Sequence, residues 1–167
     1  MKTLLLLRHA KASRDDSQLP DHDRPLKSRG KEDAKLMGQR LREAEMVPTL
    51  IVSSSARRAR KTASKVAKEL EYSRAIELTD RLYLATPQDH REVVRALPDA
   101  EDCVMLVGHN PGMSQFLNEL AHISTELATS ELAQLQLSIK HWSDLTNGQQ
   151  AELIKLWRPH DGDQRSS

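Results

Sequence analysis

The apolar residues of this chain fall into short blocks of two kinds. Leu4-Leu5-Leu6-Leu7, Leu50-Ile51-Val52 and Val104-Met105-Leu106-Val107 are unbroken runs that stop at polar residues. Runs of this length without alternation read as strands buried on both faces, as in a parallel sheet. Between them the apolar positions recur at helical spacing. After Ser28, which offers a helix cap, Ala34, Met37, Leu41 and Ala44 share one face. Ala59, Thr62, Ala63, Val66, Ala67 and Leu70 share another, and Met113, Phe116, Leu117 and Leu120 form a third stripe. A shorter helix over 88–97, with Val94 and Leu97 inward, closes at Pro98. Ile76-Glu77-Leu78-Thr79 is a weaker strand. Residues 132–139 alternate through Leu135, Leu137 and Ile139, and 151–157 follow an Asn147-Gly148 turn as a hairpin partner. Residues 10–27, with two prolines and four aspartates, read as one long loop.

Strands alternating with helices predict an α/β fold: three layers, α/β/α, around a mainly parallel sheet with an antiparallel edge near the C-terminus. The 167 residues suit one domain, over 1–158, with a frayed tail over 159–167. Basic and acidic residues balance, 25 against 24, which gives no electrostatic case for nucleic acid or a membrane as partner. The basic cluster at Arg57–Lys61 is too local to change that. One cysteine rules out an internal disulfide framework and a multi-cysteine metal site, and it fits a reducing compartment. Cys103 begins an apolar strand and reads as a small buried hydrophobe. The Leu4–Leu7 run is too short for a signal peptide or a membrane span, so the expectation is a cytoplasmic protein, and a monomer.

The first and third strands each end in a histidine, Arg8-His9 and Gly108-His109. In open α/β sheets ligands bind beyond the carboxyl ends of the strands. A neutral imidazole is a competent nucleophile near pH 7 and can carry a phosphoryl group between a donor and water. Phosphoryl transfer otherwise needs the tetrahedral group held in line and its oxygens neutralised. Arg8 and Arg58, the latter at the start of the helix after the second strand, offer guanidinium forks for that. A protonated His109 would complete an anion pocket. Asp21-His22-Asp23 holds ligand-type residues but lacks a fixed metal-binding partner, so no metal or other cofactor is expected. His90, His122, His141 and His160 read as ordinary helix or surface residues, and Trp142 and Trp157 as packing in the C-terminal hairpin.

These motifs, in this order, resemble the signatures of the histidine phosphatase superfamily. Arg8-His9-Ala10 is similar to its Arg-His-Gly signature, Arg58-Ala59-Arg60-Lys61-Thr62-Ala63 after a Ser-Ser pair to its second, and Gly108-His109-Asn110-Pro111-Gly112 to its third. Arg8-His9-Ala10-Lys11-Ala12, Asp21-His22-Asp23-Arg24-Pro25-Leu26, Ser28-Arg29-Gly30 and Tyr83 resemble the short bacterial SixA-type phosphohistidine phosphatases. The resemblance spans about residues 3–158 and implies a phosphoglycerate-mutase-like fold. It implies His9 as the phosphorylated nucleophile and Arg8, Arg58 and His109 as ligands of the phosphoryl group. It also suggests Arg24, Lys11 and Ser13 at the pocket mouth. Ala10 replaces the signature glycine, the smallest change available. Larger members that cleave oxygen esters resemble one another in using an acid between the second and third signatures. Glu77, Asp80, Asp89 and Glu92 are the candidates here, Asp80 the best placed, and none stands in an acid motif. Between Thr79 and Cys103 there is room for one short helix but not for a capping subdomain, so the site is expected to be open. The reading that follows is a metal-independent phosphatase, with a histidine-phosphotransfer domain as its phosphorylated partner. A small-molecule phosphomonoesterase and a non-catalytic phosphate- or phosphoprotein-binding module are the alternatives.

Overall fold

The computed structural model describes residues 1–148 and 150–160. Alternation inside the buried runs sets its layers. β1 (Lys2–Arg8) sends Leu4 and Leu6 to one face of the sheet and Leu5 and Leu7 to the other. β2 (Leu50–Ser54) and β4 (Cys103–Gly108) divide in the same way: Val52, Val104 and Leu106 face one core, Ile51, Met105 and Val107 the second. A strand that must feed two cores has no place for a polar residue, which is why these runs show no alternation in sequence.

One core is closed by α1 (Ser28–Glu43) and α2 (Arg57–Leu70), through Ala34, Met37, Leu41, Ala59, Ala63 and Val66. The other is closed by α3 (Pro87–Arg95) and α4 (Gly112–Ala121), through Val94, Met113, Phe116 and Leu117. With β3 (Glu77–Thr79), β5 (Leu132–Leu137) and β6 (Ala151–Trp157), the sheet has the order β3-β2-β4-β1-β5-β6. β3, β2, β4 and β1 are mutually parallel, while β5 runs antiparallel to both β1 and β6. This is the expected three-layer α/β/α fold with its antiparallel C-terminal edge.

Several local expectations need correction. Ser28 is the first residue of α1 and not its cap; Lys27 holds that position without a side-chain hydrogen bond. α3 is shorter than 88–97: Thr86 and Asp89 form a capping box at its start, and Ala96 ends it. β5 stops at Leu137, because Ile139 is buried in the core but no longer paired. β5 and β6 do pair, but across the long connection 138–150 rather than a tight hairpin, with a 3-10 turn at Trp142–Asp144 that buries Trp142 completely. The loop 10–27 carries its own order, a bridge between Ala12 and Leu26 and a 3-10 turn at Asp21–Asp23. The chain is still anchored where a frayed tail was expected to begin. Pro159 is buried, and His160 Nε2 lies 2.8 Å from Asp33 Oδ1 on α1; the rest of that segment, 161–167, lies outside the described residues. Cys103 is only half-buried, enough for burial to push its thiol up to about 11. No helix among the described residues is long and apolar enough to cross a membrane.

Candidate active site

Strand register brings the two histidines together. β1 and β4 are parallel neighbours with Arg8 opposite Gly108. His9 and His109 are therefore the next residues out on strands about 4.8 Å apart, and their ring centroids lie 5.1 Å apart. β2 lies on the far side of β4 and ends at Ser54, whose Oγ shares a 2.8 Å hydrogen bond with His109 Nε2. Arg58, in the first turn of α2, is 3% exposed and turns back to the same edge. His9, His109, Arg58 and Arg8 line one cleft of about 340 Å³, to which Lys11, Arg14 and Arg24 add three more cations.

His9 is held in a defined form. Its Nδ1 lies 2.7 Å from the carbonyl oxygen of Ala10, an acceptor only, so Nδ1 carries the proton and Nε2 keeps its lone pair. Burial pushes the His9 pKa down to about 4 against the opposing effect of that hydrogen bond, and Arg58, Arg8 and Arg24 lower it further. At neutral pH the ring is a neutral imidazole among cations. Ala10 is fixed in turn: its N–H donates to Thr62 Oγ1 at 2.9 Å, and the Thr62 hydroxyl donates to the Arg58 carbonyl at 2.7 Å. Thr62 thus ties the residue after His9 to the backbone of Arg58.

His109 departs from expectation. Burial, and then the nearby His9 and Arg58, push its pKa down to about 3, so it is neutral rather than protonated with these neighbours alone. Its Nδ1 is buried and has no hydrogen-bond partner among the described residues. A doubly negative group in the cleft would oppose the arginines and favour its protonation.

The carboxylate that lines the cleft is Asp21, not one of the four acid candidates. Arg58 donates to its backbone oxygen at 2.8 Å and to Oδ2 at 3.0 Å, Arg24 donates to Oδ1 at 3.0 Å, and the Tyr83 hydroxyl donates to Oδ2 at 2.5 Å. Burial works to raise the Asp21 pKa, but the hydrogen bonds from Tyr83 and Arg58 outweigh it and hold the carboxyl well below its usual range. Asp21 therefore orients two guanidinium groups and has no proton to give at neutral pH. Asp80 accepts from the Ser55 hydroxyl, which also meets His22 Nε2 at 2.9 Å, and it is not part of the cleft wall. Asp89 caps α3, Glu92 pairs with Arg81 at 3.1 Å, and Glu77 is exposed on β3.

Of the mouth residues named from sequence, Lys11 and Arg24 line the cleft. Ser13 does not: its carbonyl accepts from Arg24 at 3.3 Å and its hydroxyl from the Asp15 amide at 3.0 Å. Among the described residues no group of three ligating side chains is placed to hold a metal ion. The sequence also gave no sign of the loop before β5. Leu127 O accepts from Arg8 Nη1 at 3.0 Å and from Asn110 Nδ2 at 2.8 Å, and Ser130 N donates to His9 O at 3.2 Å. Tyr83 packs edge-on to His109 at 5.5 Å. His90, read as ordinary, is fully buried behind the Gly108–Gly112 turn. The arrangement can seat a tetrahedral anion against several cations with an imidazole lone pair facing it.

Comparisons with known proteins bear on family and fold. Residues 4–83 match the family described as histidine phosphatase superfamily (branch 1). An uncharacterized protein of Mycobacterium tuberculosis is 32% identical over 153 residues, 85% of this chain and 93% of that protein. A solved structure from Nakamurella multipartitia, described as a candidate phosphohistidine phosphatase SixA, is 29% identical with a TM-score of 0.80, over 95% of this chain and 96% of that one. The structure of the protein histidine phosphatase SixA with tungstate gives a TM-score of 0.80 at 21% identity, over 94% and 97%, a likeness of fold.

Proposed function

The chain belongs to the histidine phosphatase superfamily, and from that premise we propose that it hydrolyses phosphohistidine on a protein through a covalent phosphohistidine at His9. The observation that carries the reading is the fixed tautomer of His9: Nδ1–H is held by Ala10 O, which leaves Nε2 nucleophilic in a cleft lined by five cationic side chains.

The phosphoryl group sits against Arg8, Arg58 and His109. The His9 Nε2 lone pair forms the new N–P bond as the N–P bond of the substrate breaks. The leaving imidazole departs neutral, provided its other ring nitrogen already carries a proton. Water then attacks phospho-His9, inorganic phosphate leaves, and His9 recovers its lone pair. The arginines supply charge that a metal ion would otherwise provide, so turnover should persist in a chelator. An alkoxide leaving group needs a proton from the enzyme, whereas a protonated phosphoimidazole brings its own. The cleft carboxylate, Asp21, is held ionised and cannot supply one, which favours phosphoramidates over alkyl esters.

Initial rates on phosphoimidazole and on an alkyl phosphate, in excess chelator, test this reading. The expected result is phosphoimidazole turnover at least a hundredfold faster, with Asp80→Asn close to the parent on both. Fast alkyl-ester turnover that collapses in Asp80→Asn would instead establish a phosphomonoesterase with Asp80 as its acid. Phosphate binding without turnover of either would establish a recognition module.

A further inference from the structure

Leu84 is a large apolar side chain left 58% exposed, and it lines the same cleft as His9. Its backbone is in the left-handed region, with φ of 48°, where a leucine is strained. Its neighbours explain why the chain does not relax to bury it. Tyr83 is tied to Asp21 through its hydroxyl and covers His109 with its ring. Ala85 is buried with its carbonyl pressed against Gly112, and Thr86 caps α3. With both flanks committed, Leu84 is turned outward at the lip of the cleft. The same cleft is lined by Lys11 and Arg14, both exposed and neither in an ion pair among the described residues.

We infer that Leu84, with Lys11 and Arg14, forms a docking rim for the protein that bears the phosphohistidine. The partner's surface beside that residue carries an apolar side chain and flanking carboxylates. The apolar side chain packs on Leu84 while the carboxylates meet Lys11 and Arg14. Charge complementarity and continuity with the cleft favour this occupant: the leucine and both cations line the cleft that holds His9. The inference rests on the phosphohistidine reading and adds to it the surface that selects a macromolecular substrate.

The test compares kcat/KM on phosphoimidazole and on a histidine-phosphotransfer domain phosphorylated with phosphoramidate. The variants are Leu84→Asp, which puts a repelling charge on the rim, and Leu84→Gly, which removes the side chain while accepting the positive φ. The expected result is a loss on the protein, through KM, at least five times the loss on phosphoimidazole in both variants. Leu84→Gly should keep the thermal midpoint within a few degrees, which excludes misfolding as the cause. Equal losses on the two substrates, or a parent enzyme that turns over phosphoimidazole but not the phosphoprotein, would overturn the docking rim and leave the chemistry standing. A parent enzyme inert toward both would overturn the phosphohistidine reading itself.

Discussion

Thr62 places one hydroxyl between the two residues that matter most to this cleft. It accepts from Ala10 N–H and donates to Arg58 C=O, and it is completely buried. Thr62→Val keeps the shape and removes both bonds. A buried amide left without a partner costs about 1–3 kcal/mol, so urea unfolding should show a loss of that size. Because Ala10 O fixes the His9 tautomer, turnover should fall as well; a variant as stable and as active as the parent would remove Thr62 from the account. At this scale the sequence was informative where chemistry falls at an element's end: Arg8 closes β1, His9 and His109 lie just beyond strands, and Arg58 is at the start of α2. It named Asp21 only as part of the Asp21-His22-Asp23 segment and gave no sign of its pairing with Arg58 and Tyr83, 37 and 62 positions away. No periodicity reports a contact of that kind. It also led to a protonated His109, because burial among cations cannot be weighed until the neighbours are known.

Among the elements, the turn from β4 into α4 determines where His109 sits. Gly112 is required there by close approach: a Cβ would lie 1.7 Å from Ala85 O. Gly112→Ala must therefore push α4 away from the segment that carries Tyr83 and Leu84. We expect the thermal midpoint to drop, by an amount on the order of an overpacked core site, about 1–3 kcal/mol, with catalytic activity falling alongside it. An unshifted midpoint would mean that the two segments are not in firm contact. Strands and helices were legible because burial on two faces or on one stripe leaves a period in the sequence. The loop 122–131 was not, because it holds Arg8, His9 and Asn110 mainly through backbone groups, Leu127 O and Ser130 N, which any residue type provides. The 3-10 turn at Asp21–Asp23 escaped notice for a related reason, since it is ordered by what its residues bind and not by a hydrophobic face.

For the molecule as a whole, the sheet edge collects buried neutral histidines, and this has a consequence for acid stability. Burial lowers the pKa of His9 to about 4 and of His109 to about 3, and also lowers that of His90. In the unfolded chain these rings titrate near 6.5. Between that value and the folded values the unfolded state binds more protons, so stability is full above about pH 6.5 and falls as pH drops toward 4. Urea midpoints measured from pH 7 to pH 4 should decline steadily, and His109→Gln, which removes one of these groups, should flatten the slope. A flat profile for the parent would contradict the burial of neutral rings. The layer order, the parallel centre and the antiparallel edge were all readable from the alternation of blocks. The shape of the cleft was not, since it depends on three loops that meet only in the fold.

A covalent phosphohistidine at His9 can be trapped. The protein is incubated with phosphoimidazole in chelator, quenched in alkali, and its acid-labile phosphate located by mass spectrometry. The expected result is an alkali-stable, acid-labile phosphoryl group on His9, absent in His9→Ala and accumulating less in Arg58→Ala. Rapid turnover with no label on His9, or the same label in His9→Ala, would contradict it.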